Sequence, residues 1–406
     1  MKILLVNKFH WYKGGSEKYY FELGQLLKEH GHKVAYFSMK NDKNIKTGDK
    51  EYFVDKIDLN ASSKLKALDV IYSKANYKKM IEAIKDFNPD VIHVNNFQRQ
   101  LSASIIKASN DKKIPVVFTA HDVQAMCPAI TMMDNDKNVC ELCMHGKYFH
   151  CLKKSCNKGS KAKSLIGTLE GYYYRKKNIY NKKIAHIITP SEFYRTKFLE
   201  DGMDDKHIEA IHNFISINDY NVETEIGDYA LYFGRLSKEK GINNLIKAFV
   251  RCNEGNLYIA GEGLEKESIE QFIKDNKLTK RVKLLGFLNK DEMTEVTRKA
   301  RFVVVPSIWY ENCPYSVMET LAIGKPVIGA NIGGIPELVI NNVNGFTYKY
   351  DDVNELSDKM SILFKEDILV KQFSEKAKEL SKQYDKDMYY KKIFKIYKDV
   401  IKNVKK

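Results

Sequence analysis

Short apolar segments alternate with longer, helix-like polar segments along almost the whole chain, and this alternation limits the possible folds more than any other feature. The clearest apolar segments are KILLVN, KVAYFS, DVIHVN, YALYFG, NLYIAG and FVVVPS. Strands that alternate with helices form parallel sheets, and about a dozen strands are too many for one small sheet. The sequence therefore predicts an α/β protein with two doubly wound, Rossmann-like parallel-sheet domains, whose ligands bind at the carboxyl ends of the strands.

The boundary between the two domains is predicted near residues 205–225, where the sequence becomes polar and weakly periodic. The predicted first domain spans residues 1–205, and the predicted second domain spans residues 206–385. Residues 386–406 carry aromatic and isoleucine side chains at helical spacing. We expect this last segment to form a helix that packs back on the first domain.

The composition is that of an ordered globular chain, because 44% of the 406 residues are hydrophobic and only 8 are proline. No apolar run approaches the ~20 residues of a membrane-spanning helix. The N-terminal MKILLVNKF holds too short an apolar run for a secretory signal, so it is predicted to be a strand. These features predict a cytoplasmic location, where disulfides are rare.

The positive charge of the chain is concentrated in one segment. The net charge is +15, and residues 147–197 hold thirteen Lys or Arg against Glu170 and Glu192, with three tyrosines at 172–174. The segment is a solvated face, a surface for anionic lipid headgroups at the inner side of the cytoplasmic membrane, or a nucleic-acid surface. No recognition motif accompanies the charge, so nucleic acid is not expected as a partner.

Two carboxylates lie eight residues apart in ENCPYSVMET, residues 311–320. Such a pair, Glu311 and Glu319, could be a general acid and base. However, proline suits the first turn of a helix, so a helix is predicted to begin at about Pro314. Glu311 then lies in the preceding loop and Glu319 in the second helical turn, and the spacing no longer marks one helical face.

The start of that helix is expected to bind an anion. Its free backbone N–H groups belong to Tyr315, Ser316 and Val317, and the helix dipole favours negative charge there. Carboxylates in direct contact with a phosphate would repel it, whereas they readily accept hydrogen bonds from neutral hydroxyls. We therefore interpret Glu311 and Glu319 as groups that hold a polyol rather than as an acid–base pair.

Two cations occur in FGRLSKEKG, a glycine-bounded loop that follows a predicted strand. Arg235 and Lys240 in this loop could both reach one diphosphate, the arginine as a fork and the lysine as a point charge. The alternative is that both are solvated loop charges.

The first half offers glycines and a histidine at strand ends. Gly14 and Gly15 follow the first strand and precede a helix, so they form either a tight turn or a loop whose backbone closely approaches a phosphate or sugar. His121 ends the strand VVFTA, and a histidine at the carboxyl end of a strand is a site candidate.

Four cysteines fall within seventeen residues: Cys140, Cys143, Cys151 and Cys156. Two of them have C-x2-C spacing, which fits a tetrahedral thiolate site for structural zinc. An iron–sulfur centre and unliganded buried thiols remain the alternatives. A zinc ion here would hold a loop in place and take no part in chemistry.

The strand followed by ENCPYSVMETLAIGKPVIGANIGGIPELV resembles the E-x7-E signature of retaining glycosyltransferases of family 4, which have the two-domain GT-B fold. FGRLSKEKGINNLIKAF resembles the donor loop of that family, and KGGSEKY, DVIHVNN and FTAHD resemble pieces of its amino-terminal half. The resemblance covers most of the chain in the expected order. It implies that the two Rossmann-like domains face each other across a cleft. The departure, residues 127–160, resembles a cysteine-rich insertion of some bacterial members.

The resemblance implies a donor site in the second domain. Glu311 would contact the hydroxyls of the transferred sugar and Glu319 those of the ribose, while Arg235 and Lys240 would neutralise the diphosphate. The base would be read by the backbone near Phe287 and Leu288. The sugar and phosphate would meet the backbone of Asn312, Cys313, Pro314, Tyr315, Ser316 and Val317.

The resemblance also implies roles in the first domain. The loop with Gly14 and Gly15 would close over the donor diphosphate, and His121 would contact the donor sugar. His93 and Arg195 would lie on the acceptor side. The implied catalytic residues of the whole protein are Glu311, His121, Arg235 and Lys240.

The implied activity is transfer of a hexose or N-acetylhexosamine, with retained anomeric configuration, from a nucleotide diphosphate sugar to a saccharide or lipid-linked saccharide in cell-surface polysaccharide synthesis. Uracil is the expected base, and no cofactor is expected in catalysis because the cations and N–H groups take the place of a divalent metal. The alternatives are a nucleotide-sugar hydrolase, phosphorylase or epimerase of the same fold, or a basic lipid- or nucleic-acid-binding protein with an inactive cleft.

Overall fold

The structure, a computed structural model, describes residues 1–57, 68–136 and 138–404. It divides into two compact units. The first comprises Met1–Asp136, Cys140–His212 and Asp387–Lys406, and the second comprises Lys137–Val139 and Asn213–Lys386. Each unit is built on its own parallel sheet. The predicted α/β class with two parallel-sheet domains is therefore confirmed.

The sheet of the first unit has the strand order β3-β2-β1-β4-β5-β6-β7 in the described residues, and every neighbouring pair is parallel. The strands are β1 (Lys2–Val6), β2 (Lys33–Met39), β3 (Lys50–Val54), β4 (Val91–Val94), β5 (Val116–Thr119), β6 (His186–Thr189) and β7 (Ile208–Ala210). Strand β1 lies in the middle, and its residues 3–6 are fully buried. A parallel sheet covered on both faces requires such continuous apolar strands.

Helices connect these strands. They are α1 (Gly15–Glu29), α2 (Lys74–Phe87), α3 (Ser104–Asp111), α4 (Phe149–Lys153), α5 (Lys161–Lys176) and α6 (Glu192–Glu200). Serine begins three of them: the hydroxyls of Ser73, Ser160 and Ser191 accept hydrogen bonds from backbone N–H groups at the starts of α2, α5 and α6. A serine at this position satisfies an N–H group that has no partner within the helix.

The sheet of the second unit has the order β10-β9-β8-β11-β12-β13 in the described residues and is also entirely parallel. Its strands are β8 (Tyr229–Phe233), β9 (Asn256–Ala260), β10 (Val282–Gly286), β11 (Phe302–Val305), β12 (Val327–Ala330) and β13 (Gly345–Tyr348). Its helices are α7 (Ile242–Arg251), α8 (Lys266–Asp275), α9 (Lys290–Arg298), α10 (Tyr315–Ile323), α11 (Ile335–Leu338), α12 (Val353–Lys365) and α13 (Asp367–Ser381).

The boundary between the units lies between residues 212 and 213, within the predicted range of residues 205–225 and after residue 205, the predicted end of the first domain. Strand β7 still belongs to the first sheet, with Ile208 opposite Ile187 of β6, and the first unit continues to His212. This edge strand has only three residues, and one of them is buried. So short a strand leaves little apolar pattern in the sequence, which explains why the predicted first domain ended at residue 205, before β7.

The last helix, α14 (Lys386–Val404), belongs to the first unit from Asp387 onward. Its inner face consists of Tyr389, Ile393, Ile396, Tyr397 and Val400, which are all buried. The Tyr389 hydroxyl is hydrogen-bonded to that of Tyr19 on α1. The aromatic spacing in the sequence thus reflects a helix face that packs on the first unit.

No helix among residues 1–57, 68–136 and 138–404 combines the length and the apolar character that crossing a membrane requires.

Candidate active site

In each sheet the order in which successive strands are added reverses at one point, and ligands of doubly wound sheets bind at that point. In the second sheet the chain moves outward from β8 through β9 to β10, then returns to place β11 on the other side of β8. The loops that follow β8 and β11 therefore leave the sheet side by side. They contain the motifs FGRLSKEKG and ENCPYSVMET.

These two loops touch backbone to backbone. Gly241 has φ +69°, and a Cβ at that position would lie 1.8 Å from the carbonyl oxygen of Pro306. The N–H of Ile308 donates to the carbonyl of Glu239 at 3.0 Å. Only glycine tolerates both this conformation and this approach. The contact places Lys240 beside the loop that carries Glu311.

Glu311 is buried, and three donors converge on one of its oxygens. Oε1 accepts hydrogen bonds from Lys240 Nζ at 2.6 Å, Ser307 Oγ at 2.7 Å and Trp309 Nε1 at 2.8 Å. Burial alone would favour the neutral acid, but the Lys240 charge and the hydrogen bonds outweigh it, so the pKa of Glu311 lies below its usual value. Its other oxygen, Oε2, accepts no hydrogen bond from any residue that the structure describes.

The loop after β12 supports the Glu311 backbone. Gly333 has φ +60°, and a Cβ there would lie 2.4 Å from the Glu311 carbonyl oxygen. The N–H of Gly334 donates to the same carbonyl at 2.8 Å. The sequence NIGG that follows β12 is therefore a platform that fixes the position of Glu311.

The two cations of FGRLSKEKG lie in different environments. Lys240 is paired with Glu311, whereas the Arg235 side chain is 65% exposed and its nearest carboxylate partner is Glu239, at 3.4 Å. Of the two, Arg235 is the cation that remains open to a solvent-borne anion. The sequence left two alternatives, in which both cations bind one diphosphate or both are solvated loop charges, and neither alternative included the pairing of Lys240 with Glu311.

Helix α10 begins at Tyr315, with Pro314 in an extended conformation just before it. The N–H of Val317 donates to the Pro314 carbonyl at 3.1 Å, so the expectation of a free N–H at Val317 is wrong. Cys313 contributes to packing: it is buried, and its carbonyl accepts from Asn213 Nδ2 at 3.1 Å. Glu319 lies half-buried in the second turn of the helix, as the position of the proline predicts.

The loops after β9 and β10 adjoin the Arg235 loop. The N–H of Leu236 donates to the Glu262 carbonyl at 2.9 Å, and the N–H of Gly261 donates to the Gly286 carbonyl at 2.7 Å. Phe287 follows directly and is 78% exposed, and Leu288 is half-buried. The ends of four neighbouring strands, together with that of β12, thus form one continuous set of loops at the carboxyl edge of the sheet.

The first sheet reverses between β1 and β4. Gly14 and Gly15 are exposed at the start of α1, which begins one loop after β1. Gly14 has the extended φ of −174°, which any residue can adopt. The buried carboxylate of Glu17 accepts from Asn7 Nδ2 at 3.2 Å and from Ser16 Oγ at 3.0 Å. Burial raises the pKa of Glu17 despite these donors.

His121 follows β5 and is held from two sides. Its Nε2 lies 3.0 Å from Asn95 Oδ1, at the carboxyl end of β4, and its ring centroid is 4.6 Å from that of Tyr19. Burial lowers the pKa of His121 to about 3, so the ring is neutral at neutral pH. The amide oxygen only accepts, so Nε2 carries the proton and Nδ1 is left as an acceptor.

Two family models divide the chain between them. A model described as Glycosyltransferase Family 4 matches residues 13–219, and one described as Glycosyl transferases group 1 matches residues 220–380. The chain belongs to glycosyltransferase family 4. The first model alone covers more than half of the sequence, and together they span both units. The resemblance in the motifs is therefore confirmed at the level of the family.

Two relatives and one solved structure that resemble this chain match it over nearly its full length. An uncharacterized 42.6 kDa protein in the cps region of Klebsiella pneumoniae is 26% identical over 92% of this chain and 98% of its own. N-acetyl-alpha-D-glucosaminyl L-malate synthase of Bacillus anthracis is 22% identical over 97% and 96%. The structure of Anabaena Alr3699/HepE in complex with UDP has a TM-score of 0.71 and 19% identity, covering 98% and 100%. This last likeness shows the shared fold.

His93 does not fit the acceptor-side role expected of it. It is fully buried, with Nδ1 2.5 Å from the Tyr397 hydroxyl and Nε2 2.8 Å from Thr119 Oγ1. Both ring nitrogens are thus occupied within the first unit. The side chain ties α14 to strands β4 and β5, and burial lowers its pKa to about 3.

Arg195, also expected on the acceptor side, forms ion pairs with Glu192 and Asp205. It is on α6, which follows β6, so it is at the same sheet edge as His121. Its role stays a prediction, because the structure shows only these partners.

The four cysteines of the insertion all lie in the first unit. Cys143 and Cys151 are buried, and Asn157 Nδ2 donates to Cys151 Sγ at 3.8 Å. Outside residues 58–67, 137, 405 and 406, which the structure does not describe, no three His, Cys, Asp or Glu side chains form a group that could hold a metal ion. Zinc at Cys140, Cys143, Cys151 and Cys156 therefore stays a prediction from spacing alone.

Sequence reasoning missed the residues that orient the site. Ser307 and Trp309 bond Glu311, and Asn95 bonds His121. A signal was present for Trp309, because an indole N–H two residues before a carboxylate at a strand end needs an acceptor. Asn95 stands in the quoted motif DVIHVNN, but nothing in its spacing indicates which side chain it contacts.

Proposed function

We propose that this glycosyltransferase transfers a hexose or N-acetylhexosamine from a UDP-sugar to a saccharide or lipid-linked saccharide acceptor, with retention of anomeric configuration. The observation that carries the proposal is the state of Glu311. It is buried, Lys240 and the hydrogen bonds hold its pKa below the usual value, one oxygen accepts from three donors, and the other has no donor from the described residues.

Such a carboxylate is suited to recognise sugar hydroxyls. A fixed acceptor oxygen in a partly dry site forms a strong charge-assisted hydrogen bond with a hydroxyl donor. The Gly333 platform and the Trp309 bond prevent the carboxylate from turning away. We assign Oε2 of Glu311 to hydroxyls of the transferred sugar and Glu319, in the second turn of α10, to the ribose.

The cations serve the departing nucleotide. When the bond between the anomeric carbon and the β-phosphate oxygen breaks, negative charge grows on that phosphate. The exposed Arg235 and the N-terminus of α10 are positioned to stabilise it, and Lys240 adds its charge next to Glu311. The acceptor hydroxyl bonds to the anomeric carbon on the same face, and its proton goes to the leaving phosphate oxygen. The products are the glycoside and UDP.

His121 is proposed to contact the donor sugar as a neutral ring. Its Nε2–H is used by Asn95, so Nδ1 is the atom that accepts from a hydroxyl. A protonated ring would lose this acceptor and could donate only. The low pKa of His121 keeps it in the accepting form across the physiological range.

The relatives support the donor and the acceptor classes. The Anabaena structure contains UDP, the Bacillus relative is named for an N-acetylglucosaminyl product, and the Klebsiella relative lies in a cps region. A lipid-linked acceptor would place the reaction at the inner face of the cytoplasmic membrane.

The test is a titration calorimetry panel of UDP, GDP, ADP and CMP, followed by reaction of the preferred nucleotide's sugars with and without acceptor glycans. We expect UDP to bind best and sugar to appear on the acceptor with its original anomeric configuration by NMR. Release of free sugar at the same rate without acceptor would identify a hydrolase instead. No binding of any nucleotide diphosphate would overturn the proposal.

A further inference from the structure

Helix α5 has its apolar side chains on the outside. Leu165, Leu169 and Tyr172 are 43%, 43% and 41% exposed. Their spacing of four and three residues places them on one face of the helix. The opposite face, which contacts the first unit, consists largely of small or polar residues: Ser164, Gly167, Thr168, Glu170 and Tyr174 are buried. The usual arrangement of a surface helix is thus reversed.

The inward polar residues prevent this helix from rolling its leucines into the core. Glu170 accepts from the N–H of Arg99 and from Gln124 Nε2, both at 2.9 Å. Thr168 Oγ1 donates to the Tyr148 carbonyl at 3.1 Å. These bonds are buried, and breaking them would leave polar groups without partners. These bonds fix the orientation of the helix, so the two leucines remain exposed. Packing within the first unit does not explain why these positions are apolar.

Lysines lie at both ends of the exposed apolar stripe formed by Leu165, Leu169 and Tyr172. Lys161 precedes it, and Lys176 and Lys177 follow it. Lys161 and Lys163 stand in the first helical turn, which has no acidic residue, and there the helix dipole disfavours positive charge. The local helix does not benefit from these lysines, so an external partner is the better explanation of their charge.

These lysines are also without counter-ions. In the ranges that the structure describes, no carboxylate forms an ion pair with any of the exposed lysines Lys147, Lys153, Lys158, Lys161, Lys163, Lys176 and Lys177. Neighbouring cations behave differently, because Lys154 pairs with Asp134 and Arg175 pairs with Asp201. The uncompensated charge is therefore local to this surface.

A further exposed aromatic side chain lies in the segment that packs on the helix. The ring of Tyr172 lies 5.3 Å from that of Tyr148, and Phe149, which follows Tyr148 at the start of α4, is 49% exposed. Phe149 belongs to the same cysteine-bearing segment that departs from the simplest family pattern. We name the surface formed by Phe149, Leu165, Leu169, Tyr172 and the flanking lysines the α5 face.

We propose that the α5 face docks on an anionic lipid bilayer, with Leu165, Leu169 and Tyr172 inserted at the headgroup level and the lysines against lipid phosphates. A helix with outward apolar side chains and adjacent lysines is suited to lie in such an interface, because the apolar side chains leave water and the lysines contact lipid phosphates. Nucleic acid would use the lysines but leave the leucines in water. A second copy of the face would bring like charges together, which disfavours self-association.

The experiment is flotation of the full chain with neutral phosphatidylcholine vesicles and with vesicles that also contain phosphatidylglycerol. Leu165→Ser/Leu169→Ser tests the apolar stripe, and Lys161→Glu/Lys176→Glu tests the charge. The matched control is Ile368→Ser/Lys371→Glu on α13, where a 72% exposed isoleucine lies three residues from an exposed lysine. Circular dichroism confirms folding, and Lys161→Gln/Lys176→Gln replaces the charge reversal if that variant misfolds.

We expect binding to anionic vesicles only, reduced about tenfold or more by each α5 variant and unchanged by the control. Added salt should weaken wild-type binding. Absence of binding to anionic vesicles, or binding that neither α5 variant reduces, would overturn the proposal. A DNA or RNA duplex bound by wild type and by Leu165→Ser/Leu169→Ser, but lost with the lysines, would assign the face to nucleic acid. A dimer that the leucine variant dissociates would assign it to a second copy.

Discussion

Each unit has a candidate site residue at the carboxyl edge of its parallel sheet, and the two residues, Glu311 and His121, respond to burial in opposite ways. In the second unit Glu311 is buried with Lys240 2.6 Å away and stays ionised. In the first unit His121 contacts the neutral side chains of Asn95 and Tyr19, and burial lowers its pKa to about 3, so the ring is uncharged. Desolvation penalises charge in both places. A compensating cation therefore decides whether a buried titratable group at the carboxyl edge of a doubly wound sheet is charged or neutral.

Lys240→Ala removes the cation that pairs with Glu311 in the second unit. The variant leaves the Glu311 carboxylate buried without its cation, and removing one partner of a buried pair costs about 3–5 kcal/mol. Urea unfolding should show this loss. The double variant Lys240→Ala/Glu311→Gln should recover much of it, because no unpaired charge remains. The control is Lys247→Ala, an exposed lysine on α7. A loss in Lys240→Ala no larger than in this control would contradict the pairing.

Glu311→Ala should lower the rate of sugar transfer by about 100-fold to 1000-fold, the usual loss when a transition-state hydrogen-bond partner is removed. Steady-state kinetics with the preferred donor measures this. Glu319→Ala should instead weaken binding of the bare nucleotide by about tenfold, because a ribose contact is present with or without the sugar. Glu375→Ala, an exposed carboxylate on α13, is the control. Equal effects of the first two variants on bare nucleotide would refute their separate roles.

Trp309→Phe sharpens the comparison, since it removes one donor to Glu311 and keeps the ring. The pKa of Glu311 should rise toward its usual value. The ionised carboxylate contributes stability above its unfolded pKa, and this contribution is lost as pH falls through its folded pKa. The acidic limb of transfer activity follows protonation of the same carboxylate, so it should move to higher pH, with about a tenfold lower rate. An unchanged pH profile with a lower rate would mean that the indole acts only by packing.

We expect no change in the protonation of His93 and His121 across the neutral pH range. Burial lowers both pKa values to about 3, so neither ring should protonate between pH 8 and 5. Ring-nitrogen NMR measures this directly. In the unfolded chain these histidines bind protons below pH 6.5, whereas in the folded chain they bind protons only near pH 3. Their contribution to the stability of the fold should therefore decline as pH falls from 6.5 toward 3. A titration midpoint near 6.5 for His121 would show that the ring is not held neutral.

The sequence predicted well whatever depends on local pattern. Alternating strands and helices gave the two parallel sheets, and Pro314 located the start of α10 to within one residue. The loop positions of Arg235, Lys240 and Glu311 followed from the strands before them. Strands end where apolar runs end, so these features need no knowledge of distant residues.

What could not be predicted depends on contacts between distant parts of the chain. The pairing of Lys240 with Glu311 rests on the approach of Gly241 to Pro306, which no local pattern encodes. The burial of His93 depends on Tyr397, 304 residues later. Two local features were also missed: strand β7 was too short to recognise, and the Val317 N–H donates to the Pro314 carbonyl in a local turn.

The most direct test of the Glu311 assignment compares how UDP and UDP-sugar bind to wild type and to Glu311→Gln by titration calorimetry. Glutamine keeps the shape of the side chain and removes the charged acceptor. Wild type should bind the UDP-sugar more tightly than UDP, and Glu311→Gln should lose that difference while binding UDP as before. A variant that keeps the wild-type preference for the sugar nucleotide would contradict the role of Glu311 as the group that holds the transferred sugar.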